Sequence, residues 1–231
     1  MISSALLRYV ARNSLVRLAH GLVEDYLRRM TPEDILPTYE TVAAGFARSR
    51  NKSLFERRWL DRMLARTPPP RRVLDLGCGS GNPIARYLLE RRAKVTGVDG
   101  AAAMVELYAQ TVPEAEAIHA DMRGLDLQRD FDAILAWNSF FHLNPSDQRA
   151  MFPVFAAHAS ENAALMFTSG PSAGEVTGTV EGQSIYHASL DPEEYRSLLT
   201  ENGFDVLDFV PEDPDCNGHT VWLARFIHLE Q

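Results

Sequence analysis

Apolar positions along the chain follow two rhythms. Over residues 38–50 and 53–66 they return every third or fourth position, with arginines on the opposite faces, which predicts two helices. Pro68-Pro-Pro70 ends the second helix, and shorter apolar runs then alternate with amphipathic stretches. The runs at 72–76, 94–98, 115–119, 131–137 and 163–168 predict strands; residues 83–92, 101–110 and 146–158 predict helices between them. Strands separated by helices require crossover connections. The expected architecture is therefore α/β: a doubly wound, Rossmann-like sheet of seven strands, mostly parallel and covered on both faces.

The rhythm changes beyond Ser169. Residues 170–189 hold four glycines among small polar residues and predict a mobile loop, a lid over whatever the sheet binds. Asp191-Pro192 has the form of an N-cap followed by a first helical residue, opening a helix that runs to Asn202-Gly203. Residues 204–210 and 220–226 predict two more strands, joined closely enough to be an antiparallel pair at one edge. On this reading residues 1–37 are an N-terminal amphipathic helix and linker, and residues 38–231 the main domain, with a helical cap at 38–66 and the lid at 170–190.

Composition narrows the choice of partner. At 231 residues and 45% hydrophobic content the chain can bury a large core. Its 23 basic and 31 acidic residues leave a formal charge of -8, which argues against a nucleic-acid partner and for a small molecule. Cys78 and Cys216 are too few for a disulfide framework and suit a reducing, cytoplasmic compartment. No apolar run is long enough for a membrane span. In the first thirty residues Arg8, Arg12 and Arg17 interleave with Leu6, Leu7, Val10, Leu15, Leu18 and Leu22, and helical spacing continues through Met30. This segment reads as a helix that docks on its own domain or forms a homodimer; an organellar targeting segment has the same arginine-rich, acid-poor character.

The first strand runs into Gly77-Cys-Gly-Ser-Gly-Asn-Pro83. A dinucleotide fingerprint would need its third glycine where Asn82 stands, and a P-loop would need Gly-Lys-Ser/Thr, so the turn lacks the parts that grip phosphate. Asp75, on the strand ahead of it, is a carboxylate whose burial is costly without a partner, which favours a ligand with positive charge. Asn82 and Pro83 read as N-cap and N1 of the following helix.

Val73-Leu-Asp-Leu-Gly-Cys-Gly-Ser-Gly81 resembles the first motif of class I S-adenosylmethionine-dependent methyltransferases. The resemblance implies a cofactor, S-adenosylmethionine, held by Asp75, Gly77, Cys78, Gly79, Gly100 and Met104. It gives Asp99 to the ribose hydroxyls, Asp121 and Met122 to the adenine, and Trp137 to the methionine portion. Tyr39, in a segment similar to the family's Tyr-x-x-x-Ala-x-x-Phe/Tyr pattern, shares a helical face with Phe46 and is implied to cover the cofactor.

The same resemblance places the acceptor beside the aromatic segment 137–145, with Trp137, His142, Tyr186 and His187 as its candidate contacts. His142 is the candidate general base, because an ordinary imidazole titrates near neutrality. The expected activity is methyl transfer to a small molecule by in-line displacement. A protein that keeps the pocket as a regulatory or partner subunit without transfer is the alternative. Asp213, Asp215, Cys216 and His219 cluster late in the chain, but one Cys and one His fall short of the usual metal set, and no metal is expected.

Overall fold

The computed structural model describes residues 30–227. The expected N-terminal docking helix and its homodimer contact lie almost wholly outside that range; Met30, its last residue, is not helical and packs against Ile35 and its neighbours.

Two helices lead the domain: α1 (Ile35–Ser49) and α2 (Arg57–Ala65). Pro37 falls in the first turn of α1, where its missing N–H has no partner to lose, so the helix starts at Ile35, inside the expected 1–37 linker. There follow β1 (Arg72–Leu76), α3 (Ile84–Glu90), β2 (Lys94–Asp99), α4 (Ala102–Thr111), β3 (Glu116–His119), β4 (Phe131–Ala136), α5 (Pro145–Ala157) and β5 (Ala159–Ser169). After β5 come β6 (Gly174–Val180), β7 (Gln183–Ser189), α6 (Pro192–Glu201), β8 (Phe204–Asp213) and β9 (His219–Phe226). The main sheet has the order β3-β2-β1-β4-β5-β9-β8, parallel through its first five strands, with β9 antiparallel to both β5 and β8. The seven-stranded, mostly parallel sheet with an antiparallel edge pair is the one read from the sequence.

Strand alternation divides the core between the two faces. Leu74, Ile134, Leu165, Phe167 and Trp222 point to one face, where Phe152 and Phe155 of α5 and Tyr195 and Leu199 of α6 cover them. Val73, Ala133, Leu135, Met166 and Leu223 point to the other, under Trp59, Leu60 and Met63 of α2, Leu88 of α3 and Tyr108 of α4. Asp75 falls by the same alternation on this second, apolar face. The caps of α5 and α6 are local: Asn144 and Asp191 accept the amides of Asp147 and Glu193, each with a proline at the first helical position.

Two expectations need correction. Residues 170–189 are no loop: β6 and β7 form an antiparallel hairpin, closed by Glu181 and Gly182, both at positive φ. Positive φ at both central residues is the backbone of a tight primed turn, here built with Glu-Gly in place of the commoner Asn-Gly. Asn82 does not cap the third helix either. The helix begins at Ile84 behind Pro83, without a side-chain cap, and the turn closes through the Gly81 carbonyl, which accepts the Arg86 amide.

Candidate active site

All four parallel strand ends flagged in the sequence open into one cavity of about 320 Å³, roofed by α1 and the β6–β7 hairpin. Tyr39, Asp75, Gly77, Cys78, Gly79, Asp99, Gly100, Met104, Asp121, Met122 and Trp137 all line it, as do His142 and His187. Tyr186 does not. Neighbouring residues of a strand face opposite ways, and its ring is turned from the cavity, with its hydroxyl donating to Glu175.

The glycine turn is held from within. Asp99 ends β2, and its two carboxylate oxygens accept the Gly79 amide and the Ala101 amide, each at 2.9 Å. That carboxylate therefore fixes the turn against the second strand while keeping lone pairs for a ligand. Gly77 and Gly79 both sit at positive φ, for different reasons of space. A Cβ on Gly77 would come within 2.2 Å of the Ser139 Cβ, so this glycine lets two strand-end loops touch. A Cβ on Gly79 would meet nothing nearer than Phe46 at 3.7 Å, and only here does the turn leave room facing the cavity. Open space thus lies only at Gly79, whereas protein packing explains Gly77.

Asp75 is buried, and no hydrogen bond holds its carboxylate. Burial, with the nearby Asp99 charge adding to it, pushes its pKa up to about 7. A cationic ligand group would reverse that penalty. Trp137 directly follows β4, its indole buried and stacked on His219 at 5.6 Å, and its Nε1 has no partner. The cavity therefore offers an unbonded carboxylate and no free cation among its described residues: Arg50 is paired with Glu56, and Arg123 with Asp121 and Asp147. These donors and acceptors fit a zwitterionic, phosphate-free nucleoside far better than a pyrophosphate.

Arg50 and Arg123 were not singled out from the sequence. Arg50 directly follows α1, four residues beyond Phe46, and that spacing was the available signal. Arg123 grips both oxygens of Asp121, so the expected adenine carboxylate reaches the cavity with its charge already paired.

On the hairpin side, Tyr39 and His142 meet. The Tyr186 carbonyl can only accept, so His142 Nδ1 carries the proton of that 2.9 Å bond; Nε2 then accepts the Tyr39 hydroxyl at 3.1 Å. Both ring nitrogens are thereby engaged, and burial pushes the His142 pKa down to about 4. The expectation of a base titrating near neutrality fails here because the ring is enclosed. Burial also pushes the Tyr39 hydroxyl up, so it stays protonated. The late cluster is structural: Asp213 accepts the Trp59 indole, Asp215 pairs with Arg58, and His219 bridges the Cys216 carbonyl and the Asn138 amide.

Residues 73–162 match a family described as a methyltransferase domain. A trans-aconitate 2-methyltransferase of Enterobacter sp. (strain 638) is 32% identical over 145 residues, 58% of this chain and 56% of that protein. One from Klebsiella pneumoniae (strain 342) is 30% identical over 168 residues, covering 68% and 60%. The chain thus spans less than two thirds of the length of these relatives. Among solved structures, an S-adenosylmethionine-dependent methyltransferase from Clostridium acetobutylicum superposes with a TM-score of 0.66 at 13% identity, covering 83% of this chain and 100% of that one. An S-adenosylmethionine-bound amino pentose methyltransferase from Micromonospora echinaspora gives 0.63 at 20% identity, covering 80% and 95%. At these identities the structural likeness is one of fold.

Proposed function

We propose that this chain is a class I S-adenosylmethionine-dependent methyltransferase that moves a methyl group from S-adenosylmethionine to a small-molecule acceptor. The observation that carries the reading is the buried, unbonded Asp75 carboxylate beside a glycine turn with no free cation. Such a site penalises phosphate and rewards an ammonium group.

In this reading Asp75 faces the ammonium group, Asp99 the ribose hydroxyls, Asp121 and Met122 the adenine, and Gly79 gives the room for close approach. Gly77, Cys78, Gly100, Met104, Tyr39 and Trp137 complete the wall. S-adenosylmethionine supplies an activated methyl group on a cationic sulfur. The chain's own contribution is alignment and exclusion of water, by α1 and the hairpin lying across the cavity. A cavity of about 320 Å³ between α1, the hairpin and the strand ends supports a small acceptor over a macromolecular one. None of the described helices is long and apolar enough to cross a membrane.

Isothermal calorimetry with S-adenosylhomocysteine tests the cofactor assignment, and absence of binding overturns it. Turnover of methyl-labelled cofactor against small acceptors separates an enzyme from a non-transferring partner subunit: a cofactor-binding protein that methylates none of them would be the latter.

A further inference from the structure

The cavity holds two imidazoles, and they are not equivalent. His142 has spent both ring nitrogens, one on the Tyr186 carbonyl and one on the Tyr39 hydroxyl. His187, on β7, lines the same cavity half-buried, and no hydrogen bond holds its ring. It is seated by shape: Phe141 and His142 lie 4.8 and 4.9 Å away, centroid to centroid. Diagonally across on β6, opposite Ile185, stands Gly178, where a Cβ would come within 2.9 Å of the His187 Cε1, so the missing side chain makes room for the ring.

The surroundings say what such a ring would meet. Ile35, Phe141, Val180 and Ile185 make this part of the wall apolar. The cavity's arginines are already paired, so a carboxylate acceptor finds no free cation among the described residues. A protonated amine would want an acid here, and the acids lining the cavity are Asp75, Asp99 and Asp121, at the strand ends that hold the cofactor. A neutral hydroxyl on an apolar body is matched by an uncharged imidazole with a nitrogen to spare. Burial lowers the pKa of His187 and so keeps it in that uncharged form.

We infer that His187, rather than His142, takes the proton from a neutral hydroxyl acceptor during methyl transfer. The inference rests on the function proposed above and assigns its acceptor class and its base. As the acceptor oxygen bonds to the methyl carbon, the carbon–sulfur bond breaks and its electron pair stays on sulfur, which becomes neutral. The hydroxyl proton moves to the His187 nitrogen, so one positive charge leaves sulfur and one appears on the imidazole. His142 is a positioning residue: it ties the hairpin, through the Tyr186 carbonyl, to Tyr39 on α1.

The experiment compares two acceptors on the full chain with saturating S-adenosylmethionine: phenol, whose hydroxyl must be deprotonated, and 4-nitrophenol at a pH where it is already the anion. His187→Asn is expected to lower kcat/KM for phenol by about 100-fold or more and for 4-nitrophenolate by a much smaller factor, since that acceptor brings no proton to remove. Unchanged binding of S-adenosylhomocysteine in calorimetry shows that the variant folds. Gly178→Ala, which crowds the ring without removing it, is expected to lower the phenol rate selectively and more mildly. Equal losses on both acceptors, or a selective loss with His142→Asn and none with His187→Asn, overturn the assignment. Failure of the wild type to methylate either phenol overturns the hydroxyl class, and calorimetry with S-adenosylhomocysteine on the same sample tells that failure from loss of the cofactor reading.

Discussion

Replacing Asp75 by Asn separates stability from binding in a way that can be worked out beforehand. The carboxyl is buried, unbonded, and raised from 3.8 to about 7. An acid whose folded pKa lies above its unfolded value holds its proton longer when folded. The folded state therefore loses stability as pH rises from about 4 to about 7, and bears the full cost above that. At about 1.4 kcal/mol per pH unit, roughly three units amount to about 4 kcal/mol. The buried amide that replaces it has nothing to bond and returns about 1–3 kcal/mol of that gain. Asp75→Asn should thus be the more stable ligand-free protein by about 2 kcal/mol at pH 8, or about 5 °C in Tm for a chain of this size, and no more stable at pH 4.5. Binding should move the other way. Loss of a charge-assisted bond to the ammonium group weakens S-adenosylhomocysteine by about 10- to 100-fold. Wild-type affinity should fall about tenfold per pH unit below 7, as Asp75 takes up its proton, and the variant should lose that dependence. Thermal melts at two pH values and calorimetry across pH 6–8 measure both effects. A variant that melts no higher at pH 8, and still binds the ligand within about threefold of wild type, would refute the picture of an unpaired carboxylate waiting for a cation.

Other perturbations probe the rest of the site. Gly77→Ala should destabilise strongly, since its Cβ would overlap Ser139, whereas Gly79→Ala should cost only about 1–2 kcal/mol of left-handed strain yet impair cofactor binding; melts and calorimetry on the pair separate the two roles. Arg50→Ala strands the fully buried Glu56 and should cost about 3–5 kcal/mol in denaturant titrations, a loss that Arg50→Ala with Glu56→Gln should partly recover. Phe167→Ala empties the stack between Trp222 and Tyr195 and should cost about 3–5 kcal/mol without changing affinity for S-adenosylhomocysteine.

The sheet was legible because its central strands β1, β4 and β5 are largely apolar on both sides and three of its crossovers are helical, so that periodicity separated them. Every cofactor-side residue drawn from the resemblance reached the cavity, since strand ends are where a parallel sheet brings distant segments together. The hairpin was not legible. Gly174, Gly178 and Gly182 read as flexibility, and alternation along β6 pairs threonines with an exposed Val176 rather than polar with buried apolar residues. Its order comes from β7, where Ile185, Tyr186 and Ala188 are buried among Val180 of β6 and Ile35 and Tyr39 of α1, the last two lying well over a hundred residues away in the chain. The hydrogen bond from Tyr39 to His142 was hidden for the same reason: each residue was singled out alone, and only folding made them partners.

The hairpin also has a bearing on how such a protein changes its chemistry over time. Its two ends lie side by side, Gly174 paired with Ser189 and the Gly170 amide on the Ser189 hydroxyl, so the main sheet runs past it without depending on it for a strand. At its tip Glu181 accepts the Ser49 hydroxyl of α1 across the cavity. A hairpin that carries a wall of the cavity and no strand of the main sheet is a cassette. On the proposed function, exchanging residues 174–189 is expected to change which acceptor is methylated while the main sheet and the Asp75 and Asp99 carboxylates stay in place.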